Sequence, residues 1–139
     1  MNLYVETSAV LNWLLGQADA STVARALNAA QNPITSELTL AESWRGLARL
    51  KAGGRDRAQM DSLVEQLRRA SRSWTLAPMQ LGLLRGLMNE FPREPVRTLD
   101  AIHLCTALRL RPDVSDLTFL SLDVRVRENA LALGFPVIP

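Results

Sequence analysis

Along this chain, short runs of apolar residues alternate with longer segments in which hydrophobic and polar residues follow a helical period. The apolar runs predict β-strands at 3–5, 34–35, 74–76, 118–122 and 137–138. Between them, apolar residues recur every three or four positions, which predicts helices at 9–15, 19–30, 37–52, 55–70, 78–90, 99–110 and 124–133. Gly53 and Gly134 act as stop signals at the ends of two of these helices.

Residues with short polar side chains precede several of the predicted helices. The hydroxyls of Thr7 and Ser8 can cap the first helix, and Ser36 can cap the helix that ends at Gly53. Thr98 is the predicted cap of the helix over 99–110. That helix is apolar almost all round, so we expect it to lie near the centre of the fold.

The order of these elements predicts the fold class. Short strands that alternate with helices are typical of an α/β protein, here a three-layer α/β/α sandwich with a short, mostly parallel central sheet. A chain of 139 residues that is 47% hydrophobic can bury a sizeable core. No composition shift marks an internal boundary, so residues 1–139 are predicted to form a single domain.

Composition narrows the classes of function. The net charge is only +2, so any contact with nucleic acid must rely on local basic residues rather than on the overall field. Because Cys105 is the only cysteine, an internal disulfide and a thiolate metal cluster are excluded. The first residues do not resemble a signal peptide and no apolar run approaches the length of a membrane span, so we expect a cytoplasmic protein that does not enter the membrane.

Four acidic residues occur where predicted strands end or predicted helices run: Glu6, Glu42, Asp100 and Asp123. A parallel α/β fold gathers the carboxyl ends of its strands at one edge of the sheet, where ligands usually bind. Clustered carboxylates repel one another unless a cation neutralises them. Hard oxygen ligands suit Mg²⁺ or Mn²⁺, ions that cleave phosphodiesters, and this chemistry is the first interpretation.

Each acid also has a simpler explanation. Glu42 lies three residues before Arg45 on a helix, which is typical of an exposed ion pair. Glu6 and Asp100 lie at helix starts, where a carboxylate interacts favourably with the helix dipole. Asp123 repeats the arrangement of Glu6 at another strand end. The joint arrangement of the four acids, rather than any one of them, favours a site.

The same segments carry a family resemblance. The sequence Tyr-Val-Glu-Thr-Ser-Ala ends at Ala9, Glu42 follows in a helix, Thr-Leu-Asp-Ala-Ile-His-Leu spans 98–104, and Ser-Leu-Asp ends at Asp123. In this order and spacing the chain resembles the PIN-domain ribonucleases, and most closely the VapC-type toxins of VapBC toxin–antitoxin modules. The resemblance extends from the first strand to the last. The 98–104 segment is its most specific part and Glu42 its least specific.

The resemblance implies a PIN-like fold and a metal-dependent endoribonuclease. Carried over by position, Glu6, Asp100 and Asp123 become ligands of Mg²⁺ or Mn²⁺, and Glu42 becomes an outer ligand or a water-orienting acid; all four are candidate catalytic residues. Thr7 or Ser8 is a candidate to hold a metal-bound water. The implied partners are an RNA substrate such as tRNA or rRNA, a VapB-type antitoxin, and a second copy of the chain in a homodimer.

This chain departs from the family at the first acid, which is usually Asp and here is Glu6. The added methylene lengthens the reach of the carboxylate by about 1.5 Å. We expect activity to be retained, with the metal preference and the rate open to change. The rival interpretation is a catalytically weak PIN-like module that binds RNA or protein.

Other polar residues have two interpretations each. His103 is either a hydrogen-bonded packing residue, which we favour, or a metal ligand or general base. Four arginines flank the acids and could contact phosphates or simply supply surface charge: Arg93, Arg97, Arg125 and Arg127. The RNA that is cut, the antitoxin and the number of metal ions do not follow from the sequence.

Overall fold

A parallel β-sheet forms the centre of the computed structural model, which describes residues 1–138. Its strands are β1 (Asn2–Val5), β2 (Asn32–Ser36), β3 (Thr75–Ala77), β4 (Leu117–Leu120) and β5 (Val137–Ile138). They lie in the order β3-β2-β1-β4-β5, and every neighbouring pair is parallel. The predicted α/β class with a mostly parallel sheet is therefore confirmed.

Helices cover both faces of this sheet. They are α1 (Thr7–Leu14), α2 (Ala20–Ala29), α3 (Glu37–Ala52), α4 (Arg57–Ser71), α5 (Leu83–Gly86), α6 (Thr98–Leu110) and α7 (Val124–Ala132). Within residues 1–138, no helix combines the length and apolar character that a membrane crossing requires.

The side chains of β1 point alternately to the two faces and so divide the core into two parts. Leu3 and Val5 pack with apolar residues of α1, α2, α3 and α4. Tyr4 points to the other side and packs with Phe119 of β4 and with residues of α6 and α7. This period-two alternation is what a fully buried strand between two helical layers requires. The predicted three-layer arrangement follows from it.

Two predicted helix boundaries differ from the structure. The helix predicted over 78–90 is reduced to the four residues of α5, and the apolar Leu81 and Met88 on either side of it are 84% and 87% exposed. The chain there has the spacing of an amphipathic helix, but only Leu83 of this segment is buried, so little packing supports a longer helix. Thr98 is the first residue of α6 rather than its cap, and Arg97 occupies the cap position without a side-chain hydrogen bond to the helix.

The sheet order positions the functional region. The chain starts at β1 in the middle, adds β2 and β3 on one side, and then adds β4 and β5 on the other. At this reversal the connections that follow β1 and β4 run in opposite directions, which opens a crevice between them at the carboxyl ends of the strands. Val5 pairs with Leu120 in register, so Glu6 and the segment that leads to Asp123 leave the sheet side by side.

Candidate functional site

Glu6 is held in place by the ends of two strands. Its backbone N–H donates to the Leu120 carbonyl at 3.0 Å, which extends the pairing of β1 with β4. Its side chain is buried and is itself the cap of α1, since Oε2 accepts from the Ser8 N–H at 3.0 Å and from the Ser8 hydroxyl. The Ser121 hydroxyl also donates to Oε2 at 2.8 Å. The predicted capping by Thr7 or Ser8 is therefore wrong, and the capping group is the carboxylate.

Ser8 links the first strand end to the second. Its hydroxyl oxygen accepts from the backbone N–H groups of Leu122 and Asp123 at 2.9 and 3.2 Å. The same hydroxyl donates to Glu6, so one small side chain joins the acid after β1 to the turn after β4. The positions of Glu6 and Asp123 are thus coupled through backbone and hydroxyl contacts.

Glu42 is bound to residues from other elements rather than to solvent. It projects from α3, and its Oε2 accepts from the Thr7 hydroxyl and from the His103 Nε2–H at 2.8 Å. Its side chain is 24% exposed. The interpretation of Glu42 as a surface residue paired with Arg45 is therefore wrong.

The charge of Glu42 is stabilised by this network. Partial burial raises the pKa of Glu42, but the hydrogen bonds from His103 and Thr7 and the nearby positive charge of Arg97 outweigh burial and leave the pKa below its usual range. The carboxylate is therefore ionised at neutral pH, and it is oriented by two donors that approach the same oxygen.

His103 connects Glu42 to the core of the sheet. The imidazole is fully buried, and its Nδ1 lies 3.0 Å from the Tyr4 hydroxyl. Because an ionised carboxylate can only accept, Nε2 carries the hydrogen and donates to Glu42, and Nδ1 accepts from the Tyr4 hydroxyl. Burial raises the pKa of the Tyr4 phenol, which keeps its donor proton in place. The expected packing role of His103 fits this geometry, and the residue additionally orients an acid of the site.

Asp100 and Asp123 share a different partner. Asp100 lies in the first turn of α6 and accepts from Arg97 Nε at 2.8 Å. Asp123 caps α7, where its Oδ1 accepts from two backbone N–H groups, and its Oδ2 lies 3.4 Å from Arg97 Nη2. The guanidinium of Arg97 therefore bridges the two aspartates.

The four predicted acids thus form two adjoining pairs. Glu6 and Glu42 lie together around His103, and one ligand atom from each of these three residues falls within 4.8 Å of the others. Asp100 and Asp123 are joined through Arg97, and the charge of Arg97 also acts on Glu42. The residues whose ligand atoms lie close enough together to share one ion are Glu6, Glu42 and His103, and Arg97 connects the pair of aspartates to this cluster.

The donor set suits a hard divalent cation. Carboxylate oxygens a few ångströms apart can contact one ion at about 2.0–2.6 Å. In the tautomer that donates to Glu42, His103 Nε2 has no free lone pair for an ion, so within the Glu6–Glu42–His103 cluster only the two carboxylates can offer ligand atoms. Such an arrangement can lower the pKa of a bound water and neutralise charge on a phosphate.

Sequence reasoning undervalued several contributors to this site. Ser121 and the bridging role of Arg97 depend on contacts between distant segments, and no local pattern signals them. Arg125 lines a surface cavity together with Arg97, Val124 and Asp123. One nitrogen of Arg125 donates to the Pro95 carbonyl at 3.0 Å, which orients the side chain along the rim of the site.

Comparison with known proteins gives consistent results. The model of the PIN domain family matches residues 3–130. The chain is 31% identical to Ribonuclease VapC46 of Mycobacterium tuberculosis over 141 residues, which covers 98% of this chain and 95% of that protein.

Solved structures resemble this one over nearly their full length. VapC20 of Mycobacterium tuberculosis, described as a sarcin–ricin loop cleaving toxin, superimposes with a TM-score of 0.65 at 18% identity, and 96% of each chain is covered. A chain of VapBC2 from Rickettsia felis, solved with a DNA fragment from its promoter, has a TM-score of 0.65 at 11% identity and covers 99% of this chain and 98% of that one. At these identities, the likeness shows that the fold is shared.

Proposed function

The chain belongs to the PIN domain family, and on that premise we propose that it is an endoribonuclease that hydrolyses RNA phosphodiester bonds as the toxin of a toxin–antitoxin pair. The observation that carries this proposal is a pair of adjoining acidic groups, Glu6 with Glu42 around His103 and Asp100 with Asp123 around Arg97. The 31% identity to a protein named as a ribonuclease, over almost the whole chain, supports the same activity.

We assign the metal ligands to Glu6, Asp100 and Asp123, with Mg²⁺ or Mn²⁺ as the ion. When bound, the ion supplies a water of lowered pKa and neutralises charge on the scissile phosphate. Glu6 suits this role because only its Oε2 is engaged by Ser8 and Ser121, and Oε1 faces His103 at 3.8 Å. The longer side chain of Glu6, compared with the usual Asp, therefore lets one carboxylate oxygen bind Ser8 and Ser121 while the other faces the site.

The remaining residues orient and charge the site. Glu42 is ionised, and His103 and Thr7 fix its Oε2, so it can accept a hydrogen bond or a proton from a water in the crevice. Arg125 lies on the rim of the same cavity and is the best placed arginine for a phosphate of the RNA backbone. A substrate such as tRNA or rRNA would reach the acids from this exposed side.

We further propose a small antitoxin of the VapB type and a second copy of this chain as partners. Most of the exposed large apolar residues lie in the segment from β3 to the start of α6, whereas Trp44 is on α3 and two others are on α7. Those of the segment are Leu76, Met79, Leu81, Leu84, Met88 and Leu99. A concentration of exposed apolar side chains on one segment is typical of an interaction surface.

Cleavage of mixed tRNA and rRNA tests this proposal. Wild-type protein should release discrete fragments with Mg²⁺ or Mn²⁺ and none with a chelator. Asp100→Asn should reduce cleavage by about two orders of magnitude or more, since it removes charge from a metal ligand. Asp113→Asn is the matched control, because it makes the same chemical change at an exposed turn, and it should cleave like wild type.

Two results would contradict the proposal. Cleavage that persists in Asp100→Asn, or in the presence of chelator, would show that the metal and its proposed ligands are not needed for the reaction. Folded wild-type protein that binds Mn²⁺ but cuts neither RNA pool would favour the rival interpretation, a PIN-like binding module.

A further inference from the structure

Arg97 is an exposed cation placed directly on two acids of the site. Its Nε donates to Asp100 Oδ2 at 2.8 Å, and its Nη2 lies 3.4 Å from Asp123 Oδ2. The side chain of Arg97 is 73% exposed, whereas those of Asp100 and Asp123 are 12% and 32% exposed. The guanidinium therefore covers the carboxylates from the solvent side.

The backbone that carries Arg97 is well anchored. The buried Asn129 exchanges hydrogen bonds with both the N–H and the carbonyl of Arg93, and Arg125 donates to the Pro95 carbonyl. The side chain of Arg97 makes no capping bond to α6. Its main chain is thus fixed by α7, while its side chain can leave the acids without disturbing any packed residue.

A guanidinium and a divalent cation need the same oxygens. Asp123 Oδ1 is already committed to the first N–H groups of α7, so Oδ2, which faces Arg97, is the oxygen that remains for an ion. Asp100 likewise directs Oδ2 to Arg97. A divalent cation that binds both Oδ2 atoms therefore competes with the guanidinium for them.

We propose that Arg97 is an internal counter-ion that competes with the divalent metal for Asp100 and Asp123 and so lowers the metal affinity of the site. This inference rests on the proposed metal-dependent function. The competing cation also keeps the two acids from repelling each other when metal is scarce, so the site remains assembled in both conditions. The metal concentration that the activity requires is then set in part by Arg97 and not only by the carboxylates that bind the metal.

Mn²⁺ binding measured without RNA tests the proposal. Chelator-stripped protein is titrated with Mn²⁺, and free Mn²⁺ is followed by its electron paramagnetic resonance signal. We expect Arg97→Gln to lower the Kd for Mn²⁺ by about three- to tenfold, the range expected when two exposed ion pairs are removed.

Arg125→Gln is the matched control. It removes the same charge from the same cavity, but Arg125 bonds a backbone carbonyl and not an acid. We expect its Kd to change by less than about twofold, as for a screened charge outside the ligand set. As a second measurement, Mn²⁺ should raise the melting temperature of Arg97→Gln more than that of wild type, because the gain from a ligand grows as its Kd falls.

The outcomes separate this inference from the proposed function. Equal Kd values for wild type and Arg97→Gln would overturn the competition. A weaker Kd in Arg97→Gln would also overturn it, because Arg97 would then be holding the ligands in position. An equal decrease of the Kd in Arg97→Gln and Arg125→Gln would show that only the overall charge matters, and it would overturn the specific role of Arg97. If none of the proteins bound Mn²⁺, the proposed metal dependence would fail, and the competition with it.

Discussion

Replacing Glu6 by Asp tests whether the structure uses the extra length of this acid. Aspartate is the residue usual in the family, so a simple view expects Glu6→Asp to improve the protein. The structure indicates the opposite. Glu6 Oε2 accepts from Ser121 at 2.8 Å, and a carboxylate drawn back by about 1.5 Å would lie at roughly 4 Å from that hydroxyl, outside hydrogen-bond range.

The size of the effect depends on which hydrogen bonds the shorter side chain can still accept. Asp is a good helix cap, so the bond from the Ser8 N–H should survive the change. The bond from Ser121 should not, and a hydrogen bond to a charged group contributes about 1.5–3 kcal/mol. Ser121 can donate instead to the Ser8 hydroxyl, which lies 3.3 Å away, so part of the stabilisation is recovered. We expect a net decrease of about 1–2 kcal/mol in the free energy of unfolding.

Urea unfolding in the presence of chelator measures this decrease without any contribution from metal. With a slope of about 1–3 kcal/mol per molar urea, the midpoint of Glu6→Asp should fall by about 0.3–2 M. Ser121→Ala is the partner variant, and the double variant completes a thermodynamic cycle. If the destabilisation runs through Ser121, Glu6→Asp should have little further effect in the Ser121→Ala background. Unchanged or increased stability of Glu6→Asp would refute the reasoning.

Two further predictions concern the residues that support the site. Because the folded pKa of Glu42 lies below its ordinary value of 4.5, its carboxylate stabilises the fold above about pH 4.5, and this contribution is lost as the pH falls through the lower folded value. In urea unfolding from pH 6 to 3, the free energy of unfolding of Glu42→Gln should therefore decline less with acid than that of wild type, and an equal decline would contradict the assignment. Asn129→Ala should lower the free energy of unfolding by about 2–4 kcal/mol because it removes a buried amide that binds both backbone groups of Arg93. Amide hydrogen exchange in the 93–97 loop should also become faster, and exchange as slow as in wild type would show that other contacts hold this loop.

The framework of the fold was predictable because strands and helices differ in the local period of their hydrophobic residues. Leu3 to Val5 and the run before Asp123 read as buried strands, and the structure has β1 and β4 there. Acids that follow such strands must lie at one edge of a parallel sheet, so the neighbourhood of Glu6 and Asp123 could be inferred from order alone. The parallel register of Val5 with Leu120 explains why that inference was sound.

The partners of each acid were less accessible to sequence reasoning. Glu42 has arginines at helical spacing, and its contacts with Thr7 and His103 lie 35 and 61 residues away along the chain. His103 is surrounded by apolar residues in the sequence, which conceals that its ring connects Tyr4 to an acid of the site. Contacts between segments that meet only in the folded state leave no local pattern, so they require the structure.

The central position of β1 has a consequence for the time at which the protein acquires its activity. Glu6 leaves the ribosome before Ser121, which lies 115 residues later in the chain and whose hydroxyl donates to the Glu6 carboxylate. Strand β4 must also be made before β1 can pair on its second side. Growing chains therefore carry Glu6 without the contacts that position it until β4 and Ser121 have been made.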